Sequence, residues 1–259
     1  MARHARRKSS SGVYHVIVRG ANRQEIFHDE EDRLKFLDIL QKYKTKSGMA
    51  FYAWCLMGNH VHLLVKEGSE SISIVMKRIG VSYANYYNWK YKTTGHLFQD
   101  RFKSENVETV GYLLTVTRYI HQNPVKAGIV EKPHHWQWSS CRGYYGQSVY
   151  SLDLLDPHYL LRMFSHDISI AQARFRNFNE WTNQDQCLED YGGFGRRLSD
   201  DEARIEIRKC LGNIEIPQLK SLPREDRNAV LRKVKRIEGV SQRQAARILG
   251  VSVNLVFKA

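Results

Sequence analysis

Two histidines stand two residues apart in His60-Val61-His62. On a strand, residues i and i+2 point to one face, so both imidazoles project side by side and two ring nitrogens can reach one cation. A half-exposed strand carrying two histidines gives the same pattern, so a metal site needs a third donor from elsewhere. The segment Arg118-Tyr119-Ile120-His121-Gln122-Asn123-Pro124 offers one. Tyr119 and Asn123 are four residues apart and stack on one face of a helix. An amide carbonyl is an uncharged oxygen donor, and a phenol becomes a nucleophile once activated. A helix-end Tyr packed on a sheet beside an Asn cap fits the same spacing. Tyr112, one heptad earlier, is a second candidate without the Asn-Pro context. His15, His121, His134 and His135 read as structural or surface residues.

These side chains need a scaffold. Residues 12–20 alternate polar and apolar with β-branched residues, the pattern of a strand. From Asp29 to Lys46, Leu34, Phe36, Leu37, Ile39 and Leu40 recur at helical spacing. Two strands follow, Met49 to Met57 and His60 to Lys66, joined by a Gly58-Asn59 turn. Ser71 to Tyr91 reads as a second helix, Leu97 to Val107 as extended, and Glu108 to Gln122 as a third helix. That helix is expected to end at Asn123-Pro124, because a residue before proline is driven out of the α region. The order β-α-β-β-α-β-α predicts an α+β chain with a ferredoxin-like split βαβ sandwich, one sheet face covered by helices and the other open to a substrate.

A net charge of +13 favours a polyanionic partner, since each neutralised phosphate releases condensed counterions. Candidate contacts to such a polyanion are Arg19, Asn22 and Arg23 after the first strand, Lys77 and Arg78 on the second helix, and Arg101 and Lys103 in the extended segment. The second helix also carries Tyr83, Tyr86, Tyr87, Trp89, Lys90 and Tyr91, rings and cations that suit unpaired bases; about half of the rings are expected in the core. No apolar run approaches the length of a membrane span, and Met1 to Ser11 is a basic, serine-rich arm without a secretory apolar stretch. The four cysteines form no CxxC pair, which suits a reducing compartment.

The chain divides by composition into a first domain over 1–145, a partly helical connecting region over 146–220 with a loop at Tyr191-Gly192-Gly193-Phe194-Gly195, and a third unit over 221–259. In the last, Arg224 to Glu238 is a helix stopped by Gly239; Ser241 caps Gln242 to Leu249, Gly250 turns, and a final helix starts near Ser252. This is helix-turn-helix grammar, offering Arg243, Asn254 and Lys258 to duplex DNA. Any small helical hairpin shares it.

Four blocks carry a family resemblance: Gly12-Val13-Tyr14-His15-Val16 with Arg19-Gly20; Gly58-Asn59-His60-Val61-His62-Leu63-Leu64-Val65; Tyr119-Ile120 with Asn123-Pro124-Val125-Lys126-Ala127-Gly128; and Trp138-Ser139-Ser140. In this order, over about residues 1–145, they resemble REP-associated tyrosine transposases of the single-tyrosine HUH (IS200-like) superfamily. The resemblance implies an HUH domain that cleaves and rejoins single-stranded or hairpin DNA through a 5′-phosphotyrosine, in a bacterial cytoplasm, as monomer or homodimer. It implies Tyr119 as nucleophile and His60, His62 and Asn123 as ligands of Mg²⁺ or Mn²⁺, although imidazole generally prefers zinc-like metals to magnesium. Residues 151–220 match nothing in the family. A non-catalytic, domesticated DNA-binding regulator working through the C-terminal helices is the alternative. An unrelated His-x-His hydrolase would need a third His or carboxylate, and the sequence offers none adjacent.

Overall fold

Strand β1 (Val13–Arg19) is buried along almost its whole length, so it must lie inside a sheet with cover on both faces. In this computed structural model the described residues are all except 1–6, 22–23, 152, 184, 186, 189–197, 199, 213 and 238. Contacts separate the chain into two units, 1–189 and 190–259. The expected connecting region is therefore shared between them, and the loop expected at Tyr191-Gly192-Gly193-Phe194-Gly195 falls outside the described residues.

In the first unit β1 is followed by α1 (Glu30–Ser47), β2 (Ala50–Leu56), β3 (His60–Lys66), α2 (Ile72–Tyr91), β4 (Lys103–Asn106) and α3 (Val110–Lys126). The four strands form one sheet in the order β2-β3-β1-β4, with every neighbouring pair antiparallel. Helix α1 begins where Asp29 and Asp32 form a reciprocal capping box and ends at Gly48, whose φ of 65° is the left-handed conformation that glycine adopts without strain. Helices α1 and α2 are joined through Phe36 and Tyr83, whose ring centroids lie 5.1 Å apart.

The sheet's second face is not open. His15, Ile17, His62, Leu64 and Cys55 on that face are all buried, and α3 packs over them. The physical reason is that Leu113, Val116 and Ile120 make one side of α3 apolar and need the same cover. What stays accessible is the end of the face, where His60 and Arg19 are partly exposed and Lys103 is exposed.

Helix α3 also runs past the expected stop, with Pro124 inside it. Proline costs a helix one N–H bond, and in the last turn the loss is small. The Pro124 carbonyl accepts from the Ile129 amide (2.9 Å), which closes the end. The extended segment before α3 yields only four residues of ladder at β4, preceded by an isolated bridge between Gly20 and Phe98.

The outer edge of β2 is covered rather than left to pair with another chain. Leu56 N donates to Trp138 O (3.0 Å), Trp54 N to Ser140 Oγ (3.0 Å), and Phe51 N to the Asp156 carboxylate (2.9 Å). Short helices α4 (Cys141–Tyr144) and α5 (His158–Leu161) then lead to α6 (Ile168–Glu180), which packs on α3 through Phe175 and His121.

The second unit holds α7 (Asp200–Leu211), α8 (Arg224–Lys235), α9 (Gln242–Leu249) and α10 (Val253–Lys258). Its core contains Ile207, Leu211, Leu231, Val234, Ala245, Ala246, Leu249 and Val256. Ser241 caps α9 by accepting from Gln244 N, Gly250 ends it at φ 65°, and Ser252 caps α10. Helix α8 ends three residues before the expected Glu238. Among the described residues no helix is long and apolar enough to cross a membrane.

Candidate active site

The register of β1 on β3 opposes Ile17 to His62 and Arg19 to His60, so His15, Ile17 and Arg19 share a face with both histidines of the His-x-His strand. The centroids of His60 and His62 are 5.0 Å apart with their planes at 79°. Each ring is oriented through Nδ1. His60 Nδ1 donates to Asn59 Oδ1 (2.6 Å), and His62 Nδ1 shares a hydrogen bond with His15 Nε2 (3.1 Å). Burial holds the His62 imidazole well below its ordinary pKa, with the nearby His60, His15 and Arg19 adding to the effect. Burial likewise lowers His15 to about 3. Both are neutral at physiological pH, the state in which an imidazole can donate a lone pair to a metal.

Helix α3 is set by its Thr109 cap and brings Tyr119 onto this face. The Tyr119 ring is 5% exposed and meets His15 and His62 edge-on, with centroid separations of 5.9 and 5.8 Å. Asn123, one turn later, donates its Nδ2 to Tyr119 O (3.2 Å). Lys126 Nζ lies 4.6 Å from the centroid of the Tyr119 ring. Tyr112 occupies the same face, but its hydroxyl donates to Glu105 Oε2 (2.7 Å); burial and that carboxylate raise its pKa well above the usual phenol range. The Tyr112 hydroxyl is thus already committed to a carboxylate partner.

Among the described residues no group of three His, Cys, Asp or Glu side chains is arranged to hold a metal. The donors that β3 and α3 offer are two imidazoles whose Nδ1 atoms are hydrogen-bonded, so that Nε2 is the remaining nitrogen of each, and the side-chain amide of Asn123. By donor chemistry alone, two neutral imidazoles and an amide oxygen would suit a divalent cation.

The other sequence candidates separate into groups. Arg19 and Lys103 flank the histidine face at the end that is not covered. Arg101 is exposed in the bend before β4. Asn22 and Arg23 lie outside the described residues. Lys77 and Arg78 are exposed on α2, and Arg78 is paired with Glu70. Of the α2 rings, Tyr83 and Tyr87 are buried, Tyr86 and Tyr91 pack against the core, and Trp89 is exposed. Lys90 is engaged by Asp29, Glu31 and Asp32 rather than turned to a ligand. In the second unit Arg243, Asn254 and Lys258 are exposed on α9 and α10.

His15, read from sequence as a structural or surface residue, is buried against His62, while Asn59 and Lys126 had no assignment. A lone histidine in the otherwise apolar, period-2 run of β1 was the available signal for the first.

Comparison with known proteins follows these positions. Residues 8–123 match the family model described as transposase, IS200 like, a segment that contains His15, His60, His62, Tyr119 and Asn123. The resemblance read from the motifs holds over that segment. No curated protein matches the chain. Among solved structures, one described as a REP-associated tyrosine transposase bound to a REP hairpin is 19% identical with a TM-score of 0.48, covering 60% of this chain and 92% of that one. A candidate transposase from Deinococcus radiodurans R1 is 21% identical with a TM-score of 0.32, covering 49% and 92%.

Proposed function

We propose that this chain, whose residues 8–123 fall in the IS200-like transposase family, is a single-tyrosine HUH DNA transesterase that cleaves and rejoins single-stranded or hairpin DNA. The observation that carries the reading is the edge-on contact of the Tyr119 ring with His62, 5.8 Å between centroids, which joins the candidate nucleophile to the candidate metal ligands. The strand order β2-β3-β1-β4 with antiparallel pairs supports a ferredoxin-like sandwich beneath it.

The Tyr119 phenol oxygen attacks the scissile phosphorus, the bond from phosphorus to the 3′ oxygen breaks, and the departing strand leaves with a 3′ hydroxyl. The phenol proton leaves to solvent or a base, and the leaving oxygen takes one up. The 5′-phosphotyrosine keeps the ester's energy, so rejoining needs no nucleotide cofactor. Mg²⁺ or Mn²⁺ held by His60, His62 and Asn123 would supply charge stabilisation at the phosphate. Asn59 and His15 hold the two imidazoles in orientation, and Lys126 beside the ring offsets negative charge as the phenol ionises. Arg19 and Lys103 offer cations to the strand's phosphates at the open end of the face.

The test incubates the full chain with Mn²⁺ or Mg²⁺ and labelled single-stranded hairpin DNA, and looks for a covalent adduct after denaturation. Wild type is expected to form it and Tyr119→Phe to lose it. Equal adduct in both would remove Tyr119 from the role.

A second reading rests on the C-terminal unit. Helices α9 and α10, joined through Gly250 with Arg243, Asn254 and Lys258 exposed, support a helix-turn-helix for duplex DNA. A non-catalytic regulator built on it would bind duplex DNA and leave every strand intact.

A further inference from the structure

Helix α3 is fastened by Phe178, Asn179, Trp181, Asn183 and Asp185, which lie beyond the family match. Arg118 makes a two-pronged pair with Asp185: Nε to Oδ2 at 2.7 Å and a terminal nitrogen to Oδ1 at 2.8 Å, with the side chains 13% and 12% exposed. The guanidinium also lies 4.2 Å from the Phe178 ring centroid. Gln122 donates to the carbonyls of Asn179 (2.6 Å) and Trp181 (3.2 Å) and accepts from Asn183 Nδ2 (2.9 Å). Lys126 Nζ donates to the Asp185 carbonyl (3.4 Å). Farther along, Leu188 N donates to Glu105 Oε2 (3.0 Å), the same carboxylate oxygen that accepts from Tyr112.

These contacts surround the nucleophile position. Arg118 precedes Tyr119 in the chain and Lys126 stands over its ring, and Asp185 grips the first by its carboxylate and the second by its main chain. We propose that Asp185 is a positioning residue: through Arg118 it fixes the rotation of α3, and so where the Tyr119 phenol stands against the paired histidines. The proposal rests on Tyr119 being the nucleophile. The leverage follows from helix geometry. An atom about 8 Å from the axis moves about 1.4 Å when the helix turns by about 10°, and a misplacement of about 1 Å can cost on the order of a hundredfold in rate. A surface ion pair would have no such reach, but this one is largely enclosed and bidentate.

The experiment uses the full chain with Mn²⁺ and a labelled hairpin oligonucleotide under single-turnover conditions. Asp185→Ala is expected to slow adduct formation at saturating DNA by about 10- to 100-fold, with DNA affinity kept within about twofold of wild type. Asp185→Glu, which keeps the carboxylate, is expected to recover most of the rate. The Lys126 contact is to main chain and survives both changes, so the difference reports the grip on Arg118. An unchanged rate in Asp185→Ala, a loss wholly explained by weaker DNA binding, or no recovery with Glu would overturn the proposal. If wild type forms no adduct, the nucleophile assignment has failed, and amide hydrogen exchange still judges the grip. Exchange over 115–126 should then rise in Asp185→Ala while β1 and β3 stay protected, and equal protection in α3 would sink it.

Discussion

His15 Nε2 lies 3.1 Å from His62 Nδ1 in the buried centre of the sheet, and His15 Nδ1 has no hydrogen-bond partner there. If His62 Nε2 is to meet a cation, His62 Nδ1 must carry the proton and donate it to His15. A ligating histidine is normally oriented in this way through its second nitrogen, and loss of such a partner costs about 10- to 100-fold in metal affinity. His15→Leu is therefore expected to weaken Mn²⁺ binding by about that factor while the thermal unfolding midpoint changes little. Calorimetric titration with Mn²⁺ alone measures it, and wild-type affinity in the variant would remove His15 from this role.

Gly20 controls the other histidine through the backbone. A Cβ added there would lie 2.2 Å from Gln24 O and 2.9 Å from Ile26 Cγ2, while the Gly20 amide donates to Asn59 O at 2.9 Å, next to His60. Gly20→Ala must shift one of these segments, at a cost of about 1–3 kcal/mol as overpacking. Urea unfolding should show that loss together with weaker Mn²⁺ binding. Wild-type stability would mean that the loop yields without strain.

Local chemistry made much of this structure legible. The bounds of β3 follow from His60–Lys66 being apolar at alternate positions beside a Gly58-Asn59 turn, and Ser241 and Gly250 mark the ends of α9 as caps should. Pro124 misled because the rule against proline applies to a helix interior and weakens in a last turn whose carbonyls are closed by Ile129. The contact of His15 with His62 was not foreseen because it is diagonal across β1 and β3, a matter of register that no local window contains. Asp185 lies 67 residues from Arg118, and an ion pair at that separation leaves no periodic trace.

Lys90 holds the junction of α1 and α2, with Nζ within 2.9 Å of carboxylates from Asp29, Glu31 and Asp32. Burial would raise the Asp32 carboxyl, but hydrogen bonds from Tyr91, the His28 amide and Lys90 outweigh it, and its pKa sits below the ordinary value. Asp32 thus contributes stability above the unfolded carboxylate range, lost as pH falls through its folded value. Lys90→Met leaves the fully buried Asp32 short of a counter-charge. Breaking a buried pair costs about 3–5 kcal/mol, and with the Lys90 side chain 17% exposed and the Tyr86 and Tyr91 hydroxyls still donating to Asp32, about 2–3 kcal/mol is expected at neutral pH. A loss below about 0.5 kcal/mol by chemical denaturation would show that the tyrosines suffice.

The segment before β1, read from sequence as a basic, serine-rich arm, is anchored where it meets the sheet. From Ser9 to Ser11 it is tied to Glu108: Ser10 Oγ donates to Oε2 at 2.6 Å, Ser11 N to Oε2 at 3.0 Å, and Ser10 N to Oε1 at 3.1 Å. These bonds favour the carboxylate, those of Ser10 and Ser11 most, and lower its pKa from 4.5 to about 2. Because the folded value is depressed, the attachment is complete above the unfolded pKa and is lost as pH falls between 4.5 and about 2. The Ser10 and Ser11 amide resonances should hold their shifts at pH 4 and move with a midpoint near 2, and Glu108→Gln should move them at neutral pH. A midpoint near 4.5 would mean that the serines do not bind the carboxylate in solution. Glu108 immediately precedes Thr109, the cap of α3, so the same titration reports whether the start of the Tyr119 helix feels the arm.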